Sequence, residues 1–322
     1  MNIKSIIKNL LPYAKRMEFI KLFLLVLRQI DYYINVTILK KRQVIRKINN
    51  YPMILTFDEA GISKDLMFHR KREISETDTV KRIVKPGMCI LEIGANVGYY
   101  TILMGKLVGA TGKIYAYEPY QPSVDILTRN VKLNNLTDVV QIHNLAVSSK
   151  NSIQKLYLGS ASNVHSLINY KTGNNEADYI EIKTRDIREI LVNTDRKIDL
   201  IRMDIEGHER ELFNRLSNDI EAFLPTRIFF EVHPLGDIDP DPTFTKPLTN
   251  MLDLGYRPEL VISSTNVNAK KIFDELNYQP FKVINVNTNT NYLYDDIKSS
   301  DLLKVAARRP KMVRAILLNR KS

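Results

Sequence analysis

One cysteine in 322 residues excludes an intramolecular disulfide framework. Cys89 falls inside an apolar run, where a buried, inert thiol is expected. A reducing compartment fits that usage, so the chain is expected in the cytoplasm. The five histidines (His69, His143, His165, His208 and His233) are scattered and meet no cysteine at zinc-ligand spacing, so no zinc site is expected. Long apolar runs are lacking as well. The best of them, Phe19 to Leu27, is interrupted by Lys21 and is far shorter than the roughly twenty residues that cross a bilayer. No small-residue cleavage site follows it, so a secretory signal is not expected. Repeats, low-complexity tracts and Pro/Ser linkers are also missing, and nothing divides the central part of the chain.

What is present suffices for a globular core: 44% of the residues are hydrophobic and 26% charged. The net charge is +11, and nine of those charges fall within the first fifty residues, where eleven basic side chains face only Glu18 and Asp31. The excess therefore sits in an appendage. A nucleic-acid enzyme usually wants its basic surface beside the site of chemistry, so nucleic acid is not the expected partner. Three parts are expected: a basic helical extension over residues 1–50, a central domain over 51–300, and a basic helical tail over 301–322. The extension has two readings. It either covers the core with its lysines in water, or lies in a membrane interface with its basic residues on anionic headgroups, which would make the protein peripheral.

Within the centre, a hairpin or edge strand is expected after Tyr51, and a helix from Ser75 to Val84 that Pro86-Gly87 ends. Strand and helix patterns then alternate: strand 88–93, helix 99–107, strand 113–117, helix 123–133, strand 139–143, strands 152–158 and 179–183, helix 184–192, strand 198–203, helix 208–216 and strand 227–234. Weaker strands at 257–262 and 291–294 would close the domain as an antiparallel pair. This alternation predicts an α/β fold with a doubly wound, mostly parallel sheet and helices on both faces. The polar stretch Gly159 to Ala177 is long for a loop and reads as a lid over a ligand or as a surface insertion.

The first central strand carries Glu92 and runs into Gly94, with Gly98 before the next helix, so the pattern is strand, glycine turn, helix. Gly94 permits a backbone conformation that a Cβ hinders, and Gly98 would let a ligand approach the helix start. The turn lacks the third glycine of a dinucleotide fingerprint and adds an acid two residues before the first, so a pyrophosphate is not expected there. Glu118-Pro119 closes the second strand, where an acid can accept hydrogen bonds from ribose hydroxyls. Further polar groups fall at later strand ends: Asn144 to Ala146, Asp204 to Glu206, and Glu231 with His233. In an open α/β sheet that edge is where ligands bind.

These residues resemble the S-adenosylmethionine-dependent methyltransferases of the FkbM type. The resemblance is carried by Glu92-Ile-Gly-Ala-Asn-Val-Gly-Tyr-Tyr-Thr, by Glu118-Pro119 followed by Leu127, Asn130 and Leu133-Asn134, by Asn144-Leu-Ala146-Val-Ser, by Met203-Asp-Ile-Glu-Gly-His-Glu209 and by Phe230-Glu-Val-His233. It implies a Rossmann-like fold and S-adenosylmethionine as cofactor. The stretch Gly94 to Gly98, with Asn96 inside it and Tyr99 after it, would pass under the methionine moiety. Glu118 would take the ribose, Asn144 to Ala146 would flank the adenine, and Glu92 and Asp204 would reach the ammonium. Acids suit a ligand that brings an ammonium and a sulfonium.

The expected reaction is O-methylation of a hydroxyl on a sugar, glycolipid or small metabolite. His233 is the candidate base, with Glu231 or Glu206 orienting it or the acceptor. Asp204, Glu206 and Glu231 could hold a divalent ion, but their spacing is not distinctive and no metal is assigned. His208 and Glu209 open a helix and read as structural. Two alternatives stand beside this reading. A nucleic-acid methyltransferase is suggested only by the isoelectric point, and Asp204-Ile-Glu-Gly stands where base-amine enzymes often carry an Asn/Asp-Pro-Pro-aromatic turn. The other is a non-catalytic protein of the same fold acting at a membrane surface.

Overall fold

A computed structural model describes residues 19–57, 61–161, 164–169, 178–217, 221–233, 242–266, 268–286, 289–307 and 310–320. The chain enters through helix Phe19–Tyr33 and a hairpin of β1 (Gln43–Ile48) and β2 (Tyr51–Thr56). Asn49 and Asn50 turn that hairpin at φ 49° and 72°, a conformation asparagine tolerates better than most residues. Residues 43–48 are thus strand where helix was expected, because the turn pairs Gln43 with Thr56 and Ile48 with Tyr51. No helix among the described residues is long and apolar enough to cross a membrane.

After helices Ile62–His69 and Ile74–Ile83 come β3 (Cys89–Ile93), helix Tyr99–Val108, β4 (Lys113–Tyr117), helix Gln121–Leu133 and β5 (Val140–His143). The strands β6 (Ala146–Ser148), β7 (Ser152–Tyr157) and β8 (Tyr179–Asp186) form a separate small sheet in the order β6-β8-β7. The chain continues through helix Ile187–Asn193, β9 (Leu200–Met203), helix Glu209–Leu216, β10 (Arg227–Glu231) and helix Pro242–Asp253. It ends with β11 (Tyr256–Ser263), helix Ala269–Glu275, β12 (Lys282–Val286), β13 (Asn289–Tyr294), a helical turn at Ser299–Leu302 and β14 (Val313–Arg320).

Nine strands form the main sheet in the order β12-β13-β11-β14-β10-β9-β3-β4-β5. From β10 to β5 every pair is parallel, the doubly wound core that the alternation predicts. All five residues of β3 are buried, as befits a strand covered on both faces. Cys89, Leu91 and Ile93 pack on one face with Phe213 and Phe230, while Ile90 packs on the other with Leu103 and Leu127. The closing antiparallel part is larger than a pair, because β14 inserts between β10 and β11 and β12 extends the edge. Of the helical tail expected over 301–322, residues 301–307 and 310–312 are helical and 313–320 are the strand β14. Ala315 to Leu318 is a short, continuously buried apolar run, which periodicity alone cannot distinguish from a buried helix.

Asn130 and Asn134 bind the front hairpin to the core. The Ile54 amide donates to Asn130 Oδ1 at 2.7 Å, and Asn130 Nδ2 donates to the carbonyl of Val97 in the glycine turn at 2.9 Å. Asn134 Nδ2 donates to the Pro52 carbonyl at 2.7 Å. These two members of the sequence signature therefore act through the scaffold.

Candidate functional site

The strand order reverses between β3 and β9, since β4 and β5 lie to one side of β3 while β9 and β10 lie to the other. At such a switch point the loops leaving two neighbouring strands diverge and open a crevice at their carboxyl ends. Gly94 leaves β3 at φ +84°, and a Cβ on it would stand 2.2 Å from the Asp204 carbonyl oxygen at the end of β9. Its missing side chain lets the two loops meet. Gly98, at φ +94°, is bare for a different reason: its Cβ would meet Leu127 Cδ1 at 2.7 Å, so it serves helix packing and not the approach of a ligand.

The crevice opens to solvent and encloses about 90 Å³ that water can enter. Of the residues expected at the site, Gly94, Asn96, Tyr99, Glu118, Ala146, Asp204 and Glu206 border it, and Glu92, Gly98, Asn144, Glu231 and His233 do not. Residues 165–167 of the long polar loop also border it, and Ser166 Oγ donates to the Glu206 carbonyl at 2.8 Å. The described part of that loop therefore lies against the cavity, as a lid would. Residues 162–163 and 170–177 are outside the described residues.

At one end, Glu118 is fixed by the chain around it. Its Oε2 accepts from the Asn96 amide at 2.8 Å and its Oε1 from the Tyr120 amide at 2.9 Å. Asn144 Nδ2 donates to the carbonyls of Glu118 and Pro119, both at 3.3 Å, so it braces this loop from outside the cavity. Leu145, Ala146, Val147, Leu156 and Leu167 supply an apolar wall.

The other end is built of buried charge. Glu92 and Arg202 are partners across β3 and β9, and Thr101 Oγ1 donates to Glu92 Oε2 at 2.6 Å. Burial pushes the Glu92 carboxyl up to about 7 against the pull of Arg202 and the Thr101 hydroxyl. Glu92 thus supports Arg202, which borders the cavity, stacks 4.1 Å over the Tyr100 ring and donates to Asp204 Oδ2 at 3.2 Å. Burial raises Asp204, but Arg202 and His233, with Arg314 and Arg72 behind them, leave it below the usual carboxylate value.

His233 sits among four carboxylates. Its Nδ1 is 2.9 Å from Glu209 Oε1, and its Nε2 is 3.5 Å from Glu231, 3.6 Å from Asp204 and 3.7 Å from Glu206. Burial lowers its pKa, but Glu209, Glu231 and Asp204 outweigh that and hold it up to about 10. These carboxylates favour the doubly protonated ring, which makes His233, expected as the base, a poorer acceptor of a proton than a carboxylate that lines the cavity. Glu209, expected as a helix-start acid, is the partner that holds the ring.

Glu206 borders the cavity at φ +51°, and burial, with Asp204 and Glu209 adding to it against His233, pushes its carboxyl up to about 7. Glu231 lies outside the cavity and is held well above the usual carboxylate range by burial and Asp204. Arg314 Nη1 is 2.5 Å from Glu231, and the same guanidinium reaches Glu76 at 2.8 Å and Glu73 at 3.4 Å. Ligand atoms of Asp204, Glu206 and His233 lie within 4.8 Å of one another, as do those of Glu73, Asp204 and Glu231, so either trio could hold a metal ion.

Sequence reasoning missed Arg72, Glu73, Arg202 and Arg314. Arg202 alone left a trace, an arginine within an apolar buried strand beside a strand carrying Glu92. Arg72 and Glu73 come from the segment between helices Ile62–His69 and Ile74–Ile83, and Arg314 from the start of β14, which antiparallel pairing brings to the carboxyl end of β10.

The methyltransferase FkbM domain family matches residues 92–258, just over half of the chain. The chain belongs to this family. It is an S-adenosylmethionine-dependent methyltransferase, and the donor set fits that cofactor: carboxylates Glu118 and Asp204, arginine Arg202 and an apolar wall share one cavity. The match covers β3 through the start of β11 and leaves β12 to β14, and with them Arg314, outside it. The chain is also similar, at 28% identity over 79 residues, to the catalytic subunit TRM61 of a tRNA (adenine(58)-N(1))-methyltransferase from Yarrowia lipolytica. That stretch is 23% of this chain and 20% of the yeast protein, so this chain spans only about a fifth of that relative. Among solved structures, it is similar to TYW2 of M. jannaschii in complex with AdoMet (12% identity, TM-score 0.42, 87% of this chain and 88% of that one). It is likewise similar to an O-methyltransferase from Bacillus cereus in complex with SAH (12% identity, TM-score 0.40, 78% and 83%).

Proposed function

We propose that this methyltransferase transfers a methyl group to a hydroxyl of a sugar, glycolipid or small metabolite, with Glu206 as the general base. The observation that carries the proposal is the place of Glu206: its carboxyl borders the cavity together with Asp204, with His233 Nε2 3.7 Å away, and burial there pushes it up to about 7. A base is most useful when its pKa lies near the working pH, because it is then both deprotonated and able to hold a proton. S-adenosylmethionine supplies an electrophilic methyl group when bound. Glu118 would accept from the ribose hydroxyls, the backbone from Gly94 to Asn96 would underlie the methionine moiety, Ala146 and the neighbouring apolar wall would flank the adenine, and Asp204 and Arg202 would take the ammonium and carboxylate. His233 keeps Asp204 and Glu206 in one small volume by placing its imidazolium charge between them. Glu231 is a positioning residue, acting through His233 and Arg314.

The test is incubation with methyl-labelled cofactor and separate lipid, glycan and RNA fractions, followed by Glu206→Gln on whichever fraction is labelled. Turnover should fall roughly 10²- to 10⁴-fold while cofactor affinity stays near wild type. The wild-type rate should rise with pH through about 7, since Glu206 acts when deprotonated. A label found only in RNA, or unchanged turnover in the variant, would overturn the proposal.

A further inference from the structure

The described part of the N-terminal helix holds an apolar face to the outside. Phe23 (61% exposed), Leu27 (45%) and Ile30 (50%) recur every three or four residues and so share one side of helix Phe19–Tyr33, and the wider helical segment Ile34–Ile38 that follows adds exposed Ile34 (38%) and Ile38 (63%). The opposite side is already engaged. Leu25 is buried, Tyr32 packs its ring 5.3 Å from Phe57 and 5.1 Å from Phe68, and Arg28 Nη1 donates to the Phe68 carbonyl at 2.7 Å. The helix is therefore fixed to the body by one face, and the outer apolar face is exposed.

Charge states what that face fits. Lys40, Lys41 and Arg42 follow it directly and are exposed, and residues 1–50 carry eleven basic side chains against two acidic ones. A second copy of the chain would bring like charge against like, whereas an anionic lipid surface offers both an apolar layer and countercharge. One helix connects this face to the site. Phe68, which the N-terminal helix grips, belongs to helix Ile62–His69, and Ile62 of that helix borders the cavity.

We infer that this face docks on an anionic lipid surface, and that the acceptor is an amphiphile whose hydroxyl headgroup enters the cavity from that surface. The acceptor half of this inference rests on the O-methylation reading; the docking half does not.

The full chain should float with vesicles of phosphatidylglycerol in phosphatidylcholine and bind pure phosphatidylcholine vesicles at least about tenfold less. Phe23→Ser/Leu27→Ser/Ile30→Ser and Lys40→Glu/Lys41→Glu/Arg42→Glu should each weaken anionic-vesicle binding at least about tenfold, with cofactor affinity by calorimetry unchanged. Equal binding to both vesicles, or no loss in either variant, would overturn docking. So would a dimer in sedimentation that the serine variant dissolves, because the face would then belong to a second copy. Labelled methyl transfer to lipid extract in the anionic vesicles should fall at least about tenfold in the charge-reversed variant. Docking without transfer to any lipid would overturn the acceptor half alone, and transfer to a water-soluble glycan would do so while leaving O-methylation standing.

Discussion

The two ends of the cavity are built on different principles. At the Glu118 end a single carboxylate is held by two backbone amides and braced by Asn144, so its geometry follows from the local chain. At the Asp204 end, His233 sits among Asp204, Glu206, Glu209 and Glu231, with Arg202 beside Asp204 and Arg314 beside Glu231, so the charges of Asp204, Glu206, Glu231 and His233 depend on side chains from several elements. The first arrangement suits recognition of one constant ligand. The second shifts the proton affinities of Asp204, Glu206 and His233, a property that the proposed deprotonation of an acceptor hydroxyl would use.

The comparison can be broken hardest at Arg314. Arg314→Met leaves the mostly buried Glu76 and Glu231 without their shared cation and should destabilise the protein by about 3 kcal/mol, the lower end for such losses because Arg314 is partly solvated. Urea unfolding measures this, and adding Glu231→Gln should restore part of it. At the recognition end, Glu118→Ala should weaken cofactor affinity by about 10- to 100-fold in calorimetry, the value of hydrogen bonds to a charged group. Asn144→Ala should change it by less than about threefold, since it removes a brace and no cavity contact. A larger effect at Asn144 would return it to the ligand.

The subtlest prediction concerns pH. His233 has a folded pKa of about 10 against an ordinary 6.5, so its contribution to stability is complete below about 6.5 and disappears as pH rises to about 10. The difference in urea midpoint between wild type and His233→Gln should narrow across that window. A constant difference would mean that the ring is held by shape and not by charge.

The parallel core was legible because its signals are local: an apolar strand, a glycine turn and a helix, repeated. Glu118 and Asp204 were legible for the same reason, each closing such a strand. Gly98 and Asn144 were read as ligand contacts although they serve the turn, because a sequence cannot show which neighbour an absent Cβ or a side-chain amide faces. His233 was placed correctly at a strand end, but its charge depends on Glu209, Glu231 and Asp204 converging from other elements. No spacing rule announces that Arg314 lies beside Glu231 across an antiparallel pair, and the apolar stretch containing it reads as helix until its neighbours are known.

The position of β14 has a temporal meaning. During synthesis the residues of β10 and β11 leave the ribosome some fifty or more residues before the strand that separates them, so until β14 arrives the sheet lacks its middle strand there and Glu76 and Glu231 lack the guanidinium they share. The nucleotide-holding half can condense early, and the half that tunes the proton must wait for the last segment to arrive.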